Sequence, residues 1–273
     1  MAKHYGGFVQ NKLINDFDHH LEALTIKGYT LVTDLIPQQQ LAMWRSKIDT
    51  VYRIQEQDFG HQVLNQIDEL DVCRAPLLYD LDFLDIVAQS RILEIVKQIL
   101  GDYFILNLQN AIINRPGSNH HQSAWHQDLA YQQHIISRPL AINALIAIDE
   151  FSAQTGGTHL IPFSHKLDKL PSDAYIETNQ LILEVPAGTA ILFDSMLFHR
   201  AGKNTSQTLR RAINQLYTVP IIKQQYDFPR ALASNSELDP ALKQLLGFTS
   251  QTPLDDRAWR NQRIKRLSNH NGY

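Results

Sequence analysis

The hydrophobic period of the chain changes at Gly101, and this change constrains the fold more than any other feature. Upstream, apolar residues recur at helical spacing, as in residues 37–51, where Pro37 opens the run. Downstream, to about residue 220, apolar and polar residues alternate with the period of two that is typical of strands. Turn signals such as "RPGSN", "QTGG" and "PAG" separate about eight short segments, with no helix expected between them. These segments lie near residues 103–114, 124–128, 138–148, 157–161, 180–185, 189–194, 197–201 and 208–219.

This pattern predicts a mainly β fold with flanking helices. About eight short antiparallel strands fit a double-stranded β-helix, that is, a jelly-roll or cupin-like barrel, with an N-terminal helical packing layer. We expect one domain over residues 1–273, made of a helical part (about 1–101), the barrel (about 102–220) and a helical C-terminal extension (about 221–273). In the extension, Asp239 and Pro240 are expected to begin a helix that Gly247 ends.

Charge and composition exclude several classes of protein. The chain has 25 Lys+Arg and 28 Asp+Glu residues, a net charge of −3, and its basic residues are scattered except for "RNQRIKR", so no nucleic-acid partner is expected. Neither an export signal nor an apolar stretch of about 18 residues is present, which predicts a cytoplasmic protein without a membrane partner. The single cysteine, Cys73, cannot build a thiolate metal site, so any metal would need nitrogen and oxygen ligands.

A candidate for such a site is "WHQD", which contains His126 and Asp128. With 12 His in 273 residues, roughly one His-x-Asp is expected by chance, so the motif alone is weak. In a strand, however, residues two apart point to the same face, about 6.6 Å apart, and can converge on one ion. The pair His20 and Glu22 has the same spacing on a predicted helix, where the two side chains diverge.

A third ligand and a cationic partner follow in "ILFDSMLFHRAGKNTSQTLRRA". It supplies His199, and two His with one carboxylate leave open positions on a non-haem iron for a 2-oxo acid and dioxygen. The second carboxylate of such an acid needs a buried cation, and Arg210 lies eleven residues past His199. Strand alternation places Arg210 on one face and Arg211 on the other, and we favour Arg210.

Together these segments resemble the phytanoyl-CoA dioxygenase family of iron(II)- and 2-oxoglutarate-dependent oxygenases. The resemblance covers about residues 20–220 and includes "KGYTLVTDLIP", "WHQD", "TGGTHLIPFSH" and "HRAGKNTSQTLRRA". It implies that His126, Asp128 and His199 bind Fe²⁺, and that Arg210 binds the C5 carboxylate of 2-oxoglutarate. Gln109 resembles a glutamine that lines the family's pocket.

The predicted function is that of an oxidoreductase, a dioxygenase that uses Fe²⁺, 2-oxoglutarate and dioxygen. It would hydroxylate a small-molecule substrate and release succinate and carbon dioxide. The carboxylate of Asp128 favours hydroxylation over halogenation, because related halogenases need its coordination position for halide. Desaturation or cyclisation, the identity of the substrate and the oligomeric state stay open. A non-catalytic, cupin-like protein that binds or senses a metal or a small acid is the alternative.

Other residues are weaker candidates. Asn107 is expected to share the pocket-lining face of Gln109. Three polar residues after the first ligand segment are expected at the mouth of the barrel, in contact with substrate. The departures from the family pattern are Phe163 in place of a glycine, and Ala201 in place of a serine, which puts one hydrogen bond to the co-substrate in doubt. The three residues at the mouth are Tyr131, Gln132 and His134.

Overall fold

The computed structural model describes residues 15, 17–117, 121–129, 137–235 and 238–270. The chain divides into two compact units, Met1–Tyr226 and Asp227–Tyr273. The first unit contains both sheets and the N-terminal helices. The described residues of the second form three helices. In this unit the side chain of Asp239 accepts a hydrogen bond from Leu242 N at 2.8 Å, so the helix begins at Pro240 as predicted. The single-domain interpretation stays a prediction.

The helices of the first hundred residues match the predicted helical layer. Gly28, with φ of 84°, ends the first helix, and Pro37 precedes the second. In the described parts of the chain the helices are α1 (Asp18–Lys27), α2 (Gln38–Phe59), α3 (His61–Gln66), α4 (Phe83–Val87), α5 (Ser90–Leu100), α6 (Asp173–Asn179), α7 (Phe228–Ala231), α8 (Pro240–Leu245) and α9 (Asp256–His270). None of them is long and apolar enough to cross a membrane.

Two antiparallel sheets form the jelly roll. The larger has the order β1-β7-β4-β9-β3-β2 and the smaller β6-β5-β8. Their inner faces pack together in one apolar cluster, in which Leu145 and Ile191 of the large sheet meet Leu160 of the small one. The strands are β1 (Tyr29–Val32), β2 (Val72–Arg74), β3 (Ile105–Asn114), β4 (Ala141–Ala147), β5 (His159–Leu160), β6 (Leu181–Ile182), β7 (Ala190–Asp194), β8 (His199–Arg200) and β9 (Arg210–Thr218). The predicted jelly-roll, cupin-like fold with flanking helices is confirmed, as two sheets rather than one closed barrel.

Strand β9 is central in the large sheet, between β4 and β3. Its even-numbered residues point inward, where Asn214 pairs with Leu145 on one side and with Asn110 on the other. Its odd-numbered residues point outward to α4, and the Gln215 side chain donates a hydrogen bond to Ile86 O at 3.2 Å. Both faces of β9 are buried. Alternation therefore divides its residues between two faces, but no polar face indicates which of the two is the outer one.

Three details of the β region differ from the sequence-based expectation. Helix α6 lies between β5 and β6, where no helix was expected; the side chain of Ser172 caps it by accepting a hydrogen bond from Tyr175 N. The segment of His126 forms one bridge to His199 and not a strand. Strand β2 pairs with β3 although no strand was predicted there.

Two tight backbone positions shape the loops around the small sheet. Phe163, where the family pattern has glycine, adopts φ of 67°, a left-handed conformation that usually favours glycine. Gly156 has φ of 78°, and a Cβ atom there would lie 2.5 Å from Gly202 O. The turn before β5 therefore packs directly on the loop that joins β8 to β9.

Asp194 at the end of β7 gives a prediction about stability. It is 6% exposed, and burial raises its pKa from 3.8 to about 6. The folded state binds this proton more tightly than the unfolded state does. The stabilising contribution of Asp194 to the free energy of unfolding is therefore fully present below pH 3.8 and is lost as pH rises through about 6. Asp194→Asn should therefore stabilise the protein at pH 7.5 by on the order of 2 kcal/mol, or roughly 5 °C in Tm.

Thermal unfolding of both proteins across pH checks this. The gain in Tm from Asp194→Asn should disappear near pH 4, where the wild-type carboxyl is also neutral. An equal gain at pH 4 and pH 7.5 would contradict the assignment of the effect to ionisation.

Candidate metal centre and co-substrate pocket

Two short backbone segments bring His126, Asp128 and His199 together. His126 and His199 exchange two main-chain hydrogen bonds of 3.0 and 3.1 Å, and Asp128 N donates to Ser195 O at 2.9 Å. The turn between β7 and β8 therefore aligns the His126 segment beside β8. As a result, one ligand atom from each of the three side chains lies within 4.8 Å of the other two.

The imidazoles of His126 and His199 are held in the tautomer that a metal needs. His126 Nδ1 lies 2.9 Å from Ala124 O, and His199 Nδ1 lies 2.9 Å from Leu197 O. Since a carbonyl only accepts, each Nδ1 carries the proton and donates it, which leaves each Nε2 with a free lone pair. Burial lowers the pKa of His199, which keeps it neutral.

Both Nε2 atoms face the carboxylate of Asp128. His126 Nε2 is 3.8 Å from Oδ1, and His199 Nε2 is 3.5 Å from Oδ2. The set offers two imidazole nitrogens and one carboxylate, the combination that non-haem iron(II) oxygenases use. The geometry and the chemistry of the donors fit a single divalent ion.

Arg210 lies in the same pocket, at the start of β9. It is 2% exposed and its guanidinium stacks over the ring of Phe151 at 4.5 Å. Burial lowers its pKa to about 10, so it stays charged at neutral pH. Among the described residues, none forms a hydrogen bond with Arg210 Nε. A buried cation with an unused donor fits the distal carboxylate of a 2-oxo acid.

Arg211, the next residue, has different surroundings. It points to the outer face, where Nε and Nη2 donate to the two carboxylate oxygens of Asp49 at 2.8 Å each, and Nη1 donates to Asp149 at 2.9 Å. It ties α2 to the large sheet. The two side chains therefore lie on opposite faces of β9, and the role of Arg210 in binding the co-substrate stays a prediction.

Gln109 and Asn107 do not line the pocket. Gln109 is fully buried on the outer face, where its side chain donates to Phe83 O at 3.2 Å. The side chain of Asn107 donates to Lys223 O at 2.9 Å. This placement corrects the expectation for both residues. The register that pairs Gln109 with Gln215 puts the inward positions of β3 at its even-numbered residues from Leu108 onward, and the register shifts between Leu106 and Leu108.

The other predicted positions have mixed outcomes. Tyr131, Gln132 and His134 lie outside the described residues. Ala201 lines the pocket, as the family pattern implies, and has no hydroxyl to offer a co-substrate. His20, the helical control, bonds through Nδ1 to Thr30 Oγ1 at 2.8 Å and takes no part in the cluster.

Asn143 and Phe151 are among the residues of the site that were not found from the sequence. The side chain of Asn143 on β4 donates to Asp128 Oδ2, and Phe151 supports Arg210. A signal for Asn143 existed, because it is the one polar residue in the apolar strand "AINALIA". Phe151 has no comparable signal, since its contact with Arg210 depends on how distant segments pack.

Comparisons with known proteins agree with this geometry. The family model "Phytanoyl-CoA dioxygenase (PhyH)" matches residues 25–212. The protein Rv1501 of Mycobacterium tuberculosis is 36% identical over 252 residues, which cover 88% of this chain and 90% of that protein. The iron/alpha-ketoglutarate-dependent dioxygenase penM of Penicillium thymicola is 22% identical over 245 residues, covering 82% of this chain and 75% of penM.

A solved structure shares the fold. The epimerase SnoN, in complex with Fe³⁺, alpha ketoglutarate and nogalamycin RO, aligns with a TM-score of 0.57 at 13% identity, over 75% of this chain and 84% of SnoN. The matches do not favour the alternative of a non-catalytic sensor.

Proposed function

Since the chain belongs to the phytanoyl-CoA dioxygenase family, and is thus a dioxygenase that depends on iron and 2-oxoglutarate, we propose that it hydroxylates a small-molecule substrate at this site. In this proposal His126, Asp128 and His199 bind the iron, and Arg210 binds the distal carboxylate of 2-oxoglutarate. The observation that carries it is the convergence of three ligand atoms, within 4.8 Å of one another, beside a buried arginine.

The side chains have separate tasks in the reaction. The main-chain carbonyls of Ala124 and Leu197 fix the two imidazoles, so that each Nε2 would be free to bind the metal. Asp128 supplies the negative charge and occupies the position that halogenases leave to halide, which favours hydroxylation. Arg210 orients the co-substrate by a two-pronged contact with its distal carboxylate.

Part of the pocket wall is apolar. Ile112, Leu145 and Phe193 line it with apolar surface, which strengthens the attraction between the buried guanidinium and a carboxylate. When bound, iron with 2-oxoglutarate and dioxygen supplies the oxidising power, with release of succinate and carbon dioxide. The protein contributes orientation and a partly apolar environment.

The primary substrate is proposed to be a small polar metabolite or a biosynthetic intermediate. The scattered basic residues offer no concentrated patch for the diphosphate of coenzyme A. SnoN, which shares the fold, was solved with the small molecule nogalamycin RO. Screening metabolite pools for a mass gain of one oxygen would identify the substrate. Cytoplasmic localisation stays a prediction.

Spectroscopy tests the proposal without the substrate. Anaerobic addition of Fe²⁺ and 2-oxoglutarate together should give the weak visible charge-transfer band of a chelate, and neither addition alone should give it. Exposure to air should then release succinate slowly. The same titration with succinate in place of 2-oxoglutarate is the control, because succinate lacks the keto oxygen. If no band forms and no succinate appears, this function is excluded.

A further inference from the structure

Asn143 is a buried polar residue that the proposed metal site does not yet explain. It lies in the middle of β4, fully buried, in register with Phe193 of β7 and Leu216 of β9. Its Nδ2 donates to Asp128 Oδ2 and makes a longer contact of 3.5 Å with Ser195 Oγ. An amide in an apolar strand is costly to bury, so its partner is informative.

We propose that Asn143 is a positioning residue, whose amide holds Oδ2 of Asp128 so that the carboxylate binds metal through one oxygen. This inference rests on the proposed metal site. The hydrogen bond from the amide occupies Oδ2, and it therefore favours coordination through Oδ1. A carboxylate that binds through one oxygen uses one coordination position, and this leaves the three open positions that a 2-oxo acid and dioxygen require.

The backbone around Asp128 supports this assignment. Asp128 N donates to Ser195 O at 2.9 Å, while Asn143 holds the side chain, so the residue is fixed at both ends. The ring of Phe193, the register partner of Asn143, lies 4.7 Å from the ring of His199. Asn143 and Phe193, which are register partners in the large sheet, thus contact two of the three proposed ligands, Asp128 and His199.

The free energy of the fold also argues for a role beyond packing. Within the described residues, Asn143 Oδ1 is buried and has no hydrogen-bond partner, which destabilises the fold because the desolvation of the oxygen is not compensated. A leucine would fill a similar volume without that cost. A residue kept only for packing would therefore be better replaced by an apolar side chain, whereas a residue that positions Asp128 would not.

The test compares Asn143→Leu and Asn143→Ala with the control Asn114→Ala. Asn114 is also fully buried, and its Oδ1 has no partner among the residues that the structure describes, but its Nδ2 donates to Gly202 O at 2.9 Å, away from Asp128. Co²⁺ is titrated into each metal-free protein, followed by its visible absorption, and Tm is measured without metal.

We expect both Asn143 variants to bind Co²⁺ about 10–100-fold more weakly than wild type, with altered intensity of the Co²⁺ bands as the carboxylate reorients. The Tm of metal-free Asn143→Leu should match or exceed that of wild type. Asn114→Ala should lower Tm and leave Co²⁺ affinity within about twofold.

Three results have distinct meanings. Wild-type affinity and spectrum in a folded Asn143 variant would overturn the inference and leave the metal site intact. Failure of both Asn143 variants to fold would show a packing requirement and would also overturn it. If wild type itself binds no Co²⁺, the proposed function fails instead.

Discussion

Asp128→Ala is expected to lower the rate of succinate release by more than about a hundredfold, because loss of a mere hydrogen-bond partner of a metal ligand already costs 10–100-fold. The substitution removes the only carboxylate of the proposed iron site and with it most of the affinity for iron. It also removes a side chain that is partly exposed and not part of the apolar core, so the protein should stay folded. Initial rates and bound iron are measured after anaerobic loading.

His159→Gln is the matched control for this experiment. His159 lies on β5 of the small sheet, next to Leu160, which pairs with His199 of β8. The Nδ1 of His159 bonds to Gln180 at 2.9 Å. Glutamine can keep that contact, so rate and iron content should stay near wild type. If Asp128→Ala were as active as wild type, Asp128 could not be an iron ligand.

Arg210→Gln is expected to weaken 2-oxoglutarate binding by at least about 30-fold, since breaking a buried, charged hydrogen-bonded contact costs roughly 2–5 kcal/mol. The neighbouring residue provides the comparison, because Arg211→Gln changes the same atoms one position along β9. Arg211 contacts Asp49 and Asp149 on the outer face. Its loss should lower Tm and leave 2-oxoglutarate affinity unchanged.

Titration of the charge-transfer band with 2-oxoglutarate gives both affinities. Arg210→Lys should bind with intermediate affinity, because an ammonium keeps the charge and loses the planar fork. If the two glutamine variants weaken binding equally, the effect comes from the strand and not from one guanidinium. If only Arg211→Gln weakens it, the two residues have been assigned the wrong way round.

Local rules were sufficient to predict that His126, Asp128 and His199 lie close together. His126 and Asp128 satisfy the spacing of two that an extended segment requires, and His199 follows an apolar strand. The same alternation separated Arg210 from Arg211. These positions depend on geometry within a few residues, and the sequence contains that information.

The rest of the pocket depends on information that no local pattern holds. Nine of the ten residues of β3 are buried, so alternation there does not reveal which face is inward. Gln109 was placed on the wrong face for this reason, and Asn107 lies where the pairing is interrupted. A shift of register between Leu106 and Leu108 adds to the ambiguity. The contact of Asn143 with Asp128 joins segments that meet only after the sheets have formed.

Strand β9 lies between β4 and β3, and this position limits which insertions and deletions the chain can tolerate. Nine residues, Arg210–Thr218, are fixed between two partners, and a deletion within them that shifts the register of the N-terminal half by one residue would turn its inward side chains outward. Arg211 would then enter the pocket and Arg210 would leave it for the helices. We therefore expect insertions and deletions to be tolerated in the connections between strands and not within β9.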